Sequence, residues 1–412
     1  MNRLLACLSA LVLFAPLLGA APATAEPATA EPDPADWPAV LAEAEGQTVY
    51  WHAWGGDQRI NAYIEWAGDE VSARFGIEVV HVKLADTAEA VSRVLAEKAA
   101  GTTAGGAVDL IWINGENFAA MKENDLLFGP WAEALPHWRY VDVEGKPTVV
   151  NDFTVPTDGL EAPWGMAQIV FYHDTAVTPE PPRSMAALLD WARENPGRFA
   201  YPEPPNFLGT TFLKQALYGL IEDPSVLTAP VEEAAYAVTV APLWAYLDAL
   251  TPNLWREGRA YPQNGARLRQ LLADGEIEVA FSFNPGEASA AIANYELPET
   301  VRSYILEGGT IGNTSFVAIP FNASATAGAL VLADFLLSPE AQARKQDPAH
   351  WGNGTVLDIA ALAEADRARF DAIDLGPASL RPEELVPVLP EPHPSWMVRI
   401  ERDWTERYGV GQ

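Results

Sequence analysis

The sequence predicts an α/β protein of two lobes, each with a mainly parallel sheet flanked by helices, and a cleft between them. Three observations predict it. Strand-like and helix-like segments alternate over residues 48–113, the alternation resumes after Ser184, and an extended apolar stretch introduced by Pro163 lies between the two series.

Residues 47–52 form a β-rich run, followed by the glycine turn Gly55-Gly56-Asp57 and by Ile60, Ile64, Ala67, Val71 and Phe75 at helical spacing. A second strand over 77–82 leads to Asp86-Thr87 as a cap and to a helix with Val91, Val94 and Leu95 on one face. Residues 107–113 are a third, mostly apolar strand. Parallel sheets of this kind bind ligands in loops beyond the carboxyl ends of their strands, here 53–56 and 114–118.

The stretch 160–172 reads as a crossover. Beyond it come a helix over 184–194, a proline-rich loop over 201–206, and Gly209-Thr210-Thr211 opening a helix with Phe212, Leu213, Ala216, Leu217 and Leu220 inward. Asn264-Gly265, an apolar-faced helix, the Asp274-Gly275 turn and a strand over 277–283 continue the second lobe and end in Asn284-Pro285-Gly286-Glu287. Residues 301–320 read as the return crossing, and helices over 325–337 and 396–408 are expected to pack back on the first lobe. The expected divisions are 1–25, a signal peptide; 26–45, a leader; 46–160, the first lobe; 161–305, the second; and 306–412, the return.

The leader follows from composition. Arg3 precedes a nearly continuous apolar run over 4–18, and Ala23-Thr24-Ala25 offers small residues for cleavage, leaving Glu26 first and placing the mature chain in the periplasm. Cys7, the one cysteine, lies inside that run, too early for a lipoprotein site, so the mature chain holds no disulfide and no thiolate. The 56 acidic and 26 basic residues give a net charge of −30, which argues against nucleic acid or an anionic membrane as partner.

No nucleophile elbow, His-Glu-x-x-His, phosphate loop or calcium loop is present, and the six histidines are dispersed. The expectation is therefore no catalytic residue, no metal site and no cofactor, although a two-carboxylate hydrolase leaves no motif to exclude.

Residues 50–56, the run Asp-Leu-Ile-Trp-Ile-Asn-Gly-Glu-Asn-Phe at 109–118 and Pro-Trp-Gly-Met-Ala-Gln at 163–168 resemble the YnjB-type substrate-binding proteins of ABC transporters. The resemblance extends over most of the mature chain. It implies a type II periplasmic-binding fold, a monomer that closes on a small solute, and permease subunits in the inner membrane as partners. It does not choose a ligand, since wider relatives include receptors for thiamine, polyamines, iron and sugars.

Candidate ligand-binding residues follow from the expected cleft: Trp54 and Gly55 after the first strand; Asn114, Glu116 and Asn117 after the third; Trp164 on the crossover; Thr210 and Thr211 at a helix start; Asn284 and Glu287; and Asn313 on the return. Each has a plain structural alternative. Trp54 and Trp164 suit core packing as well as a ligand, and the short polar residues suit helix capping. With carboxylates in two loops and no Lys or Arg beside them, a thiamine-like or polyamine-like cation between Trp54 and Trp164, near Glu116 and Glu287, is the favoured solute. A sugar or an anion is the alternative.

Overall fold

A computed structural model describes residues 32–381 and 384–409. The expected signal peptide, its cleavage site and Cys7 lie outside the described residues.

The first lobe runs α1 (Trp37–Ala44), β1 (Thr48–Trp54), α2 (Gln58–Phe75), β2 (Glu78–Leu84), α3 (Ala88–Ala99), β3 (Leu110–Ile113) and α4 (Glu116–Glu123). Asp57 caps α2 by accepting from the N–H groups of Arg59 and Ile60, and Gly76 ends it in the left-handed conformation at φ 67°. The predicted apolar face holds, with Ile60, Ile64, Ala67 and Val71 buried. On α3, by contrast, Leu95 is 46% exposed, and the packed face centres on Ala90 and Val94 instead.

After the short β4 (Asn151–Asp152) and β5 (Val155–Pro156), β6 (Glu161–Gln168) remains in the first sheet, while β7 (Val170–Asp174) enters a second one. The second lobe follows with α5 (Met185–Glu194), α6 (Phe207–Leu220), α7 (Glu233–Leu250), α8 (Gly265–Ala273), β8 (Val279–Ser282), α9 (Glu287–Ala293) and β9 (Val301–Tyr304). Then come β10 (Thr310–Ala318), α10 (Thr326–Leu336), α11 (Pro339–Gln346), α12 (Glu364–Asp371), β11 (Val388–Leu389) and α13 (Pro394–Tyr408).

The larger sheet has the order β11-β10-β3-β1-β2, with β6 also paired to β10. Strand β1 is parallel to β2 and β3, and β10 runs antiparallel to β3 and β6. The second sheet, β8-β7-β9, is antiparallel throughout rather than parallel. Its three strands are joined through helices, α5 to α8 between β7 and β8 and α9 between β8 and β9.

One large core lies on each sheet. Trp51, Ile64, Trp164 and Leu332 belong to the first, with a satellite cluster around Ile111 and Phe118; Phe171, Phe212, Leu243 and Phe281 belong to the second. The final helix, expected on the first lobe, buries Trp396, Ile400 and Trp404 in the second core instead, because its apolar stripe meets Tyr201 and Tyr236 there. The antiparallel pair β6 and β10 joins the halves. Ile311 of β10 sits in the second core, and Val317 of the same strand sits in the first.

Candidate binding cleft

The loop after β3 is set by Gly115, whose φ of 63° suits glycine and whose missing side chain leaves room for the Phe153 ring. Its N–H donates to Asp152 Oδ2 at 2.7 Å, fixing Glu116 at the start of α4. From the second lobe, Asn206 caps α6 so that Thr210 falls in its second turn, where Oγ1 donates to Glu401 Oε1 of α13 at 2.6 Å. One turn on, the fully buried Lys214 donates to Glu391 Oε2 at 2.6 Å. Asn313 Nδ2 of β10 donates to the other Glu391 oxygen at 3.1 Å. The Lys214 ammonium also lies 4.6 Å from the Phe153 ring centre and 5.3 Å from that of Phe207. Both lobes and one crossing strand therefore meet at one polar cluster.

Acceptors outnumber donors in this cluster. Burial, with repulsion from Glu401 and Asp86, pushes Glu116 up to about 7. Burial likewise raises Glu401 and Glu391, and it raises Asp152 well above the carboxylate range, with Glu116 and Glu391 adding to it. Asp152 Oδ1 and Asn313 Oδ1 are buried and accept no hydrogen bond among the described residues.

A second polar group spans the lobes beside α2. Glu287 Oε2 is 3.5 Å from Arg59 Nη2 of the first lobe, while Oε1 accepts from Arg269 of α8, and Arg269 Nε also pairs with Glu296 at 2.8 Å. Nearby, Gly286 N–H donates to Gly352 O at 3.2 Å, and Asn284 Nδ2 donates to Trp351 O at 2.8 Å, clasping the β8–α9 loop to a segment of the first core.

The predicted site residues divide accordingly. Glu116, Thr210 and Asn313 converge on the buried cluster, and Asn117 Nδ2 donates to Glu116 Oε1 at 3.0 Å. Asn114 is half-buried beside them. Trp54 and Gly55 lie at the end of β1, the indole half-buried and folded against Gly56. Asn284 serves the interlobe clasp.

Three expectations are corrected. Trp164 is fully enclosed, with Trp51, Tyr63, Trp112 and Trp351 at ring-centre distances of 5.0–6.3 Å, and its face is already covered by the Lys345 amine, with Nζ 3.4 Å from the ring centre. Thr211 is spent within α6, its Oγ1 donating to Phe207 O at 2.7 Å, because the helix starts at Phe207 and not at Gly209. Glu287 does not await a cation, since Arg59 and Arg269 already hold it; these arginines lie outside the loops that looked free of basic residues.

Asp152, Lys214, Glu391 and Glu401 were not foreseen. Lys214 carried a signal, a lone lysine on the apolar face of α6; Glu391, between two prolines, carried none.

This geometry, two α/β lobes joined by crossing strands around a polar cleft, is that of a bacterial solute receptor. The chain belongs to the family described as bacterial extracellular solute-binding protein, which matches residues 66–364, and so is a solute-binding component of an ABC transporter that works outside the cytoplasm. It is 47% identical over 375 residues to Protein YnjB of Escherichia coli K12, covering 91% of this chain and 94% of that one. Among solved structures it is similar to a putative spermidine/putrescine ABC transporter protein from Listeria monocytogenes, with TM-score 0.63, 17% identity, and 89% and 99% of the two chains covered. It is also similar to the periplasmic binding protein AfuA from Actinobacillus pleuropneumoniae, bound to fructose-6-phosphate, with TM-score 0.62, 14% identity, and 89% and 99% covered. Among the described residues no helix is long and apolar enough to cross a membrane.

Proposed function

We propose that the chain captures a small organic cation, polyamine-like or thiamine-like, between Glu116, Asp152 and Glu401, and delivers it to an ABC permease. The observation that carries this reading is the imbalance at the cleft: four carboxyl groups surround the single ammonium of Lys214, and two buried oxygens still lack a donor. A ligand bringing N–H donors and positive charge relieves both, through charge-assisted hydrogen bonds. A neutral sugar supplies donors only. Among the described residues no three acidic or imidazole side chains stand close enough to hold a metal ion, which favours an organic cation over a metallic one.

The test is calorimetry with spermidine, thiamine and choline against maltose and glycerol phosphate, on wild type, Glu116→Gln and Glu401→Gln. Cation binding weakened about tenfold by either substitution is expected, the scale of one charge-assisted hydrogen bond. Tight maltose binding, or cation binding indifferent to both changes, would overturn the reading. Recovery of the ligand unaltered separates a receptor from a hydrolase.

A further inference from the structure

Arg59 and Arg269, besides holding Glu287, line a cavity of about 1090 Å³ that also takes in Asp57 and Gln58 from the first lobe and Arg256, Asn264 and Arg267 from the second. Two helices start at it. The 18-residue α2 begins after Asp57, and the 9-residue α8 begins after Asn264, whose side chain accepts from Arg267 N–H at 3.0 Å. Each helix brings the positive end of its dipole to the cavity, where an anion is stabilised.

The side chains repeat that preference. Four guanidinium groups face the cavity: Arg59, Arg256, Arg267 and Arg269. Asp57, Glu287 and Glu296 engage Arg59 and Arg269, and Arg256 stacks on Trp255 at 4.1 Å. Arg267 has no side-chain hydrogen bond or ion pair among the described residues, and Arg59 Nη1 is a buried donor without an acceptor. The Arg267 guanidinium and the free Nη1 of Arg59 offer in this recess the forked donors that carboxylate and phosphate oxygens match.

We infer that this cavity binds an anionic group, a carboxylate or a phosphate, held jointly by Arg59 of the first lobe and Arg267 of the second. Because the two arginines come from opposite lobes, the anion ties the closed form together. It is either a free ion or the acidic end of a solute whose ammonium lies at Glu116; the second case rests on the reading above, the first does not.

Calorimetry at low ionic strength tests this with inorganic phosphate and with O-phosphoethanolamine, which carries both charges. Phosphate is expected to bind wild type and to lose about tenfold in affinity in Arg267→Gln, whose folding is unaffected because that side chain has no partner to lose. Glu116→Gln should leave phosphate binding unchanged. Phosphoethanolamine binding tighter than phosphate, and weakened by both substitutions, marks the anion as part of the solute; binding equal to phosphate, and indifferent to Glu116→Gln, marks a free ion. Absence of phosphate binding at millimolar concentration, or binding indifferent to Arg267→Gln, overturns the inference. Spermidine titrated into Glu116→Gln tests the amine reading separately, so the two fail independently.

Discussion

Arg59, in the first turn of α2, places Nη2 3.5 Å from Oε2 of Glu287, the first residue of α9, so that one ion pair reaches across the two lobes. Both side chains are largely shielded, 16% and 12% exposed, which limits screening by salt. Glu287 keeps Arg269 when Arg59 is removed, so Arg59→Ala leaves no carboxylate stranded. The expected outcome is a fold of unchanged thermal stability and a solute that dissociates several-fold faster, with little change in association rate. Stopped-flow fluorescence, using the many tryptophans, reads both rates.

Backbone contact at Gly286 and Gly352 is tighter still. A Cβ on Gly286 falls 2.5 Å from Gly352 Cα, a distance that backbone cannot yield without separating the segments. Gly286→Ala is therefore expected to hold the lobes apart. Small-angle scattering with saturating solute should show a decrease in radius of gyration for wild type and a smaller one, or none, for the variant.

Glu116 gives the cleft a pH response. Its folded value of about 7 lies above its ordinary one, so the fold favours the protonated acid. This stability contribution is complete at pH values below about 4.5 and is lost as pH rises to about 7. Binding of a cation has the opposite sign, since it requires the ionised form. Affinity for a permanently charged cation such as choline is expected to rise between pH 6 and 8, and in Glu116→Gln this rise should flatten while some binding persists.

Lys345 and Trp164 give a stability test. Burial holds the Lys345 amine well below its ordinary range, and among the described residues it has no acidic partner. Its Nζ donates to Trp164 O at 2.7 Å, an acceptor that Gln342 Nε2 also serves at 2.8 Å. A depressed lysine costs stability at neutral pH and less as pH rises toward 10.5. Lys345→Met is thus expected to lie within about 1 kcal/mol of wild type or above it at pH 7, with the difference shifting toward wild type by pH 9. Trp164→Ala, which empties the centre of the first core, is expected to cost about 3–5 kcal/mol in denaturant unfolding. Loss of more than about 3 kcal/mol in Lys345→Met would contradict this account.

Periodicity made the architecture legible, because an amphipathic helix such as α2 must turn Ile60, Ile64 and Val71 toward whatever sheet it covers. It also located the loops after β1 and β3. It failed where long-range partners decide. Nothing local tells that the Trp164 indole is already covered by a lysine from α11, or that Glu287 meets an arginine at the start of α2. Glu401 reaches the cleft because α13 turns its apolar stripe to the second core, a choice among two apolar surfaces that composition does not settle, and Glu391, ahead of that helix, is held there by Lys214 and Asn313.

Strand β10 has its Thr310–Ile311 end rooted among the residues of one core and its Phe316–Val317 end among those of the other. Neither half can melt without withdrawing support from a strand that the other half needs. Heating is accordingly expected to give one calorimetric peak whose measured enthalpy equals its van't Hoff enthalpy, so that a receptor of two halves unfolds as a single cooperative unit.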